Sequence, residues 1–247
     1  MTKFDKGYIE KALGIPVFAH ETLDSTSSEA RRLLRDGRCA PFLVVANSQS
    51  QGRGRQGKSF LSPKGGLYMS IALPAPEKNA VSITTRACVA LARAIRSLTG
   101  EDVKIKWVND IWLGDRKVAG ILTEAVGDEN GNVYSVIIGI GVNLFGVEIP
   151  DSLQGIATTL QKKCSRDLLT AKISEEIISL TENTADTSYI EEYKSLSLVL
   201  NREITYTQNG TTHTGVARKI NSDGSLTVVS GGGEVTLSSG EITVRLK

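Results

Sequence analysis

The chain has 247 residues, enough for one large domain or for a large and a small one. Its 29 basic against 27 acidic residues leave a formal charge of +2, which excludes a broad nucleic-acid or membrane surface and makes any basic site a local one. Three separated cysteines (Cys39, Cys88, Cys164) and two isolated histidines (His20, His213) argue against a disulfide framework or a structural zinc site. With no apolar stretch near the N-terminus and no run approaching the ~18 apolar residues of a membrane span, a cytoplasmic protein is expected.

Val17-Phe18-Ala19 reads as a short strand, and Asp24-Ser25-Thr26-Ser27-Ser28 offers N-caps for a helix over 29 to 35 that Gly37 stops. Ala30, Leu33 and Leu34 form its apolar stripe, and Arg31, Arg32 and Arg35 read as a solvated face. Strands are expected over 42 to 46 and 67 to 73. A largely buried helix over 79 to 98 follows from the spacing of Ile83, Ala87, Leu91, Ile95 and Leu98. Beyond Gly100, residues 103 to 107 alternate as a half-buried strand, Asn109-Asp110 makes a turn, and strands over 117 to 126 and 133 to 142 form a hairpin. Leu169, Ile173, Ile177 and Leu180 mark an amphipathic helix over 167 to 182, and 186 to 198 carries another. From residue 203 the texture changes to short strands punctuated by Asn209-Gly210, Asp223-Gly224, Gly231-Gly232-Gly233 and Ser239-Gly240, with Ile204, Tyr206, Val216, Leu226 and Val228 among the inward candidates. The expectation is an α+β fold: a mixed β-sheet backed by helices over residues 1 to 200, and a small β-barrel over 201 to 247.

Gly52-Arg53-Gly54-Arg55-Gln56-Gly57-Lys58-Ser59 packs three glycines and three cations into eight residues. Glycine lets backbone N–H groups approach a ligand, and Arg and Lys add charge, so the stretch suits a phosphate or another oxyanion. It also spells the dinucleotide and P-loop patterns, but both need a helix leaving the loop. Here Pro63 and Gly65-Gly66 break any helix, and a strand comes next.

Four polar stretches stand out at strand and helix ends: Asp24-Ser25-Thr26-Ser27, Gln49 with the Gly/Arg loop, Lys106-Trp107-Val108-Asn109-Asp110, and Lys117-Val118-Ala119-Gly120-Ile121-Leu122. Together with Gly139-Ile140-Gly141-Val142-Asn143, and in this order, they resemble the motifs of the biotin protein ligases over nearly the whole chain. The departures are Ser27 where that family usually has Asn, Val108 for Pro, Lys58 for Arg, and Phe60 where Trp is common. None removes a charge. The residues before the ligase motifs are too few for the helix-turn-helix of repressor-type members, so no nucleic-acid partner and no repressor function are expected.

The resemblance implies a class II synthetase-like catalytic domain with an SH3-like C-terminal barrel. It implies an ATP-dependent biotin–[biotin carboxyl-carrier protein] ligase that makes biotinyl-5′-AMP and passes biotin to a lysine of a biotin carboxyl carrier protein domain. Biotin and ATP are the implied ligands, with Mg²⁺ arriving on ATP and no metal held by the protein; a homodimer is one assembly that the family allows. Biotin's site would comprise Ser25, Thr26, Ser27, Gln49, Arg53, Gly54, Arg55 and Lys117. The nucleotide's would comprise Arg53, Arg55, Lys58, Phe60, Asn109 and Asn143, with Lys117, Arg53, Arg55 and Asp110 as the catalytic set. The chemistry needs such residues: a carboxylate meets a triphosphate, so cations must offset their repulsion, and a carboxylate such as Asp110 can orient or deprotonate the incoming amine. Two other classes stay open on sequence alone, a nucleotide switch and a nucleic-acid module built on the barrel. The lipoate ligase branch has a Gly-rich Arg-Arg-x-Ser-Gly-Gly-Gly segment that this chain lacks.

Overall fold

The computed structural model describes residues 3–75, 80–182, 186–208, 210–238 and 242–244. Asn79, Asn209, Ser239 and Gly240, named above as helix start and turn residues, lie outside them.

The chain opens on a helix that the sequence hid, α1 (Lys6–Leu13), capped by Asp5, which accepts from the Tyr8 amide, and closed by Gly14 at φ 67°. Ile9 is its one buried residue and Leu13 packs beside it half-buried, so its apolar stripe is a single turn long. Next come β1 (Val17–Leu23), α2 (Thr26–Arg35), β2 (Phe42–Gln49), β3 (Leu67–Pro74), α3 (Ala80–Thr99) and β4 (Val103–Lys106). They are followed by β5 (Asp110–Leu113), β6 (Arg116–Gly127), β7 (Val133–Val142), α4 (Arg166–Glu182) and α5 (Tyr189–Ser195). β5 corrects the expectation of a plain turn at Asn109-Asp110: Asp110 opens a strand that pairs with Lys106 of β4 and Gly120 of β6. Ile111-Trp112-Leu113 is apolar without alternation, so β5 displays no period of two.

Seven strands form one mixed sheet in the order β1-β2-β3-β7-β6-β5-β4, with β1 and β2 parallel and the other neighbours antiparallel. Both faces of its middle are covered, which is why β2 and β3 are near-continuous apolar runs. On one face α2 sets Ala30 and Leu34 against Phe42, Val44, Ala72, Val126 and Ile137. On the other, Leu91 and Ile95 of α3 and Ile173 and Ile177 of α4 pack with Leu43, Val45, Met69 and Ile71. Each such side chain contributes roughly 1.5–3 kcal/mol by leaving water. Buried Arg86 ties α3 to α4 and α5, donating to the carbonyls of Leu180 (2.6 Å) and Asp186 (2.7 Å) and stacking on Tyr189 at 4.1 Å. None of the described helices is long and apolar enough to cross a membrane.

A second, antiparallel sheet follows: β8 (Glu203–Gln208), β9 (Thr211–Ile220), β10 (Leu226–Ser230), β11 (Gly233–Leu237) and β12 (Ile242–Val244), in the order β11-β10-β9-β8-β12. Its inward residues include Ile204, Tyr206, Leu226 and Val228. Val216, expected among them, is half-buried, because Gly215 and Ala217 take the inward positions of β9. The turn before β10 meets the first sheet's helices: Gly224 accepts from the indole N–H of Trp107 at 2.9 Å and sits at φ 87°.

A Cβ added at Gly224 would come within 2.9 Å of Thr85 Cγ2. Gly224→Ala therefore combines left-handed backbone strain with a clash, and should destabilise the protein by about 2 kcal/mol. For a chain of this size that is a fall in Tm of roughly 4–8 °C, measured by differential scanning calorimetry. An unchanged Tm would mean that the contact with α3 is dispensable.

Candidate active site

Where α2 and the loop after β2 lie over β6 and β7, the sheet surface is bare. A Cβ at Gly139 would fall 2.5 Å from Ser27 Oγ, and one at Gly141 would fall 2.4 Å from the Phe60 ring. Any larger residue there would lift those side chains off the sheet. Gly120, paired with Gly141 across the β6–β7 ladder, extends the same floor.

One wall is the first turn of α2. Its N-cap Ser25 uses no side-chain bond to cap the helix, and Ser25, Thr26 and Ser27 are all buried. Gln49, at the end of β2, accepts from the Thr26 amide (2.8 Å) and hydroxyl (3.1 Å) and donates through Nε2 to Ser62 Oγ at 2.7 Å. Because a backbone N–H can only donate, the orientation of the Gln49 amide is settled. Ser70 of β3 donates to Thr26 Oγ1 (2.8 Å) and meets Ser27 Oγ at 3.0 Å, while Ser62 donates to the Phe60 carbonyl at 2.9 Å. A neutral hydrogen-bonded chain thus runs from Ser27 to the backbone of Phe60. Asp24 sets the wall's entry: it takes two hydrogen bonds from Arg32 (2.9 and 2.8 Å) and one from the Ser25 amide. The Arg32 bonds hold the Asp24 carboxyl down at about 2, against the opposing effect of burial.

The opposite wall is the Gly/Arg loop, a small hairpin closed by Gly54 N to Lys58 O (2.7 Å) and Phe60 N to Gly52 O (2.8 Å), with a 3-10 turn over Arg55–Gly57 at its tip. No helix leaves it, as expected. Arg53 meets Glu124 of β6 twice, at 2.9 and 3.3 Å, and Arg31 meets the same carboxylate at 3.1 Å. Arg31 is therefore not part of a solvated face, although Arg32 and Arg35 are exposed. Arg55 donates to Asn109 Oδ1 at 3.2 Å, and Asn109 Nδ2 donates to the Ile121 carbonyl. Lys117 pairs with Asp110 at 2.7 Å.

Two cavities lie between these walls. The smaller, about 50 Å³, is lined by Ser25, Thr26, Ser27, Gln49, Arg53 and the glycine floor. The larger, about 470 Å³, is lined by Lys58, Asp110, Trp112, Asn143 and, from the second sheet, Ile242. Gly54, Arg55, Phe60, Asn109 and Lys117 line both, so the two are one trough with cations at its waist. Every site residue named from the sequence lines one cavity or both. Ser62, Ser70 and Glu124 were missed; a lone Ser in Leu67-Tyr68-Met69-Ser70-Ile71 and a lone Glu in Leu122-Thr123-Glu124-Ala125 were the available signals.

Residues 21–143 match the pattern of the Biotin/lipoate A/B protein ligase family. The bifunctional ligase/repressor BirA of Bacillus subtilis is 34% identical over 177 residues, covering 70% of this chain and 54% of that protein. The biotin–[acetyl-CoA-carboxylase] ligase of Paracoccus denitrificans is 38% identical over 134 residues, covering 52% and 54%. The chain thus spans about half the length of these curated relatives. The structure of the biotin protein ligase of Aquifex aeolicus in complex with biotin and ATP superposes with a TM-score of 0.77 at 26% identity, over 94% of this chain and 99% of that one.

Asp24 titrates near 2 when folded and at about 3.9 when unfolded. Its bond to Arg32 therefore adds stability that is complete above about pH 4 and is lost as the pH falls towards about 2. Tm measured from pH 5 to 2 should fall less steeply in Asp24→Asn than in the wild type over that window. Parallel curves would show that another carboxylate carries the acid sensitivity.

Proposed function

Because the chain belongs to the biotin/lipoate A/B protein ligase family, we propose that it activates biotin with ATP to biotinyl-5′-AMP and transfers the biotinyl group to a lysine of a biotin carboxyl carrier protein domain. The observation that carries this is the waist of the trough, where Arg55 and Lys117 stand between a small cavity walled on the α2 side by neutral hydroxyl and amide groups and a larger one lined by Lys58 and Asp110.

Biotin's bicyclic ring is uncharged and its ureido group both donates and accepts. Ser25, Thr26, Ser27 and Gln49 supply matching neutral groups, preset by the hydrogen bonds that join Thr26, Gln49 and Ser70. Phe60, in place over Gly141, would border the ring on the floor side. The valeryl chain then brings the carboxylate to Lys117 and Arg55. There one carboxylate oxygen attacks the α-phosphorus of ATP, the bond to the β-phosphate oxygen breaks, and pyrophosphate leaves. Lys58 on the loop, with Asn109 and Asn143 across the larger cavity, would hold the nucleotide, while Arg53 and Gly54 border biotin. In the second step the carrier lysine attacks the acyl carbon and AMP leaves. Asp110, now paired with Lys117, would take the amine's proton once Lys117 turns to the substrate.

Among the described residues no three His, Cys, Asp or Glu side chains gather to hold a metal. The carboxylates in the larger cavity are Asp110 and Glu148, so Mg²⁺ would be held mainly by the triphosphate and would offset its charge. We assign the catalytic unit to residues 1 to 200 and a C-terminal domain packed against it to 201 to 247. The latter would reach the nucleotide or the carrier through the end of the trough that Ile242 lines.

Biotin-dependent exchange between ATP and labelled pyrophosphate tests the first step, and incubation with a carrier domain tests the second. Exchange driven by lipoate and not by biotin would move the protein to the other branch of its family. Lys117→Ala should lower biotin-dependent exchange by roughly 10²–10³, by analogy with the loss of one donor to a developing charge, at an unchanged Tm. Exchange near the wild-type rate would remove Lys117 from its role.

A further inference from the structure

Glu124 has no part in the chemistry just described, yet it touches every wall of the smaller cavity. It projects from β6, the strand that carries Lys117 and the floor residue Gly120, and its side chain is 15% exposed. Its Oε1 accepts from Arg53 at 2.9 Å and from Arg31 at 3.1 Å, and its Oε2 takes a second bond from Arg53 at 3.3 Å. Arg53 stands at the base of the Gly/Arg loop, where its backbone bridges to Ser59, whereas Arg55 stands at the tip. Arg31 belongs to α2, whose first turn supplies Ser25, Thr26 and Ser27. One carboxylate therefore joins the loop, the helix and the sheet.

We propose that Glu124 is a positioning residue of the active site: it clamps the base of the Gly/Arg loop and the α2 wall to β6, and Arg53 serves as the loop's tether to it. Two fork-shaped guanidinium groups that share one oxygen would repel each other without its charge, so removing the carboxylate takes away an attraction and leaves a repulsion. The loop's base would then lift away from α2. The division of labour follows: the charge of Arg53 is spent on geometry, and Arg55, Lys58 and Lys117 are left to meet the substrates' anions. Its catalytic consequence rests on the ligase function proposed above, whereas the clamp itself does not.

The test uses the full-length chain and four variants: Glu124→Gln, Arg53→Ala, the two combined, and the charge swap Arg53→Glu with Glu124→Arg, which keeps one carboxylate between two guanidiniums. Amide hydrogen exchange of residues 52 to 60 reads the clamp without any substrate. Each single variant should exchange about tenfold faster there, the ratio that about 1.4 kcal/mol of lost tethering gives, with the β2, β3 and β7 amides unchanged. The double variant should be no faster than the singles, and the swap should return to within about twofold of the wild type. With biotin and ATP, the adenylate released to solvent per adenylate formed should rise and be restored in the same pattern. Loop exchange that stays at the wild-type rate in Glu124→Gln, or a swap no better than the singles, overturns the clamp. So does an Arg53→Ala that loses adenylate formation while Glu124→Gln keeps it, since Arg53 would then be acting on phosphate. A wild type that forms no adenylate, with the loop exchange as expected, overturns the proposed function and leaves the clamp standing.

Discussion

The active site depends on the absence of side chains from one patch of sheet. Strands β6 and β7 pair over nine positions, and a well-buried ladder would ordinarily carry β-branched residues on both faces. At Gly139 and Gly141 it carries none, so Ser27 and the Phe60 ring rest directly on the backbone. A methyl group at either position would meet those atoms at 2.5 Å or less. The neutral hydroxyl row of α2 and the cationic loop can approach each other only because this floor is flat.

Over that floor the polar groups sort by charge. The α2 side is a chain of hydroxyl and amide groups, each bonded to the next, from Ser27 through Ser70, Thr26 and Gln49 to Ser62. Such a network is costly when half satisfied and orienting when complete; here the Thr26 amide fixes which end of Gln49 accepts. The loop side is cationic, but its charges are not left to repel one another: Arg53 is met by Glu124 and Arg55 by Asn109. The trough is thus graded from neutral to charged, which suits a substrate with an uncharged head and an anionic tail beside a nucleotide.

The second sheet is not an appendage. The Trp107 indole donates across to Gly224, and the inward residues Ile204, Leu226 and Ile242 belong to the same apolar cluster as the core of the first sheet. Trp107 is part of the Lys106-Trp107-Val108-Asn109-Asp110 stretch whose later members line the trough. The contact between the sheets and the shape of the site are therefore coupled through one short segment.

The sequence by itself determined the elements whose signal is local. Helices α2, α3 and α4 followed from caps and apolar spacing, the β6–β7 hairpin from its central turn, and the change to short strands near residue 203 from the glycine pairs. The residue types around the loop also determined the kind of chemistry, since glycine density and fixed charge act wherever the chain places them. What needed the tertiary structure was everything set by partners distant in sequence. α1 has an apolar stripe only one turn long, and β5 runs Ile111-Trp112-Leu113 without alternation, so neither shows a sustained period. Arg31 looked solvated because Glu124, its partner, lies 93 residues further along. Ser70 looked like a polar interruption in an apolar strand until Thr26, 44 residues before it, came to its hydroxyl. Periodicity and capping are properties of neighbours along the chain; a shared carboxylate or a buried hydroxyl chain is created only when folding closes long loops, and no local pattern encodes it.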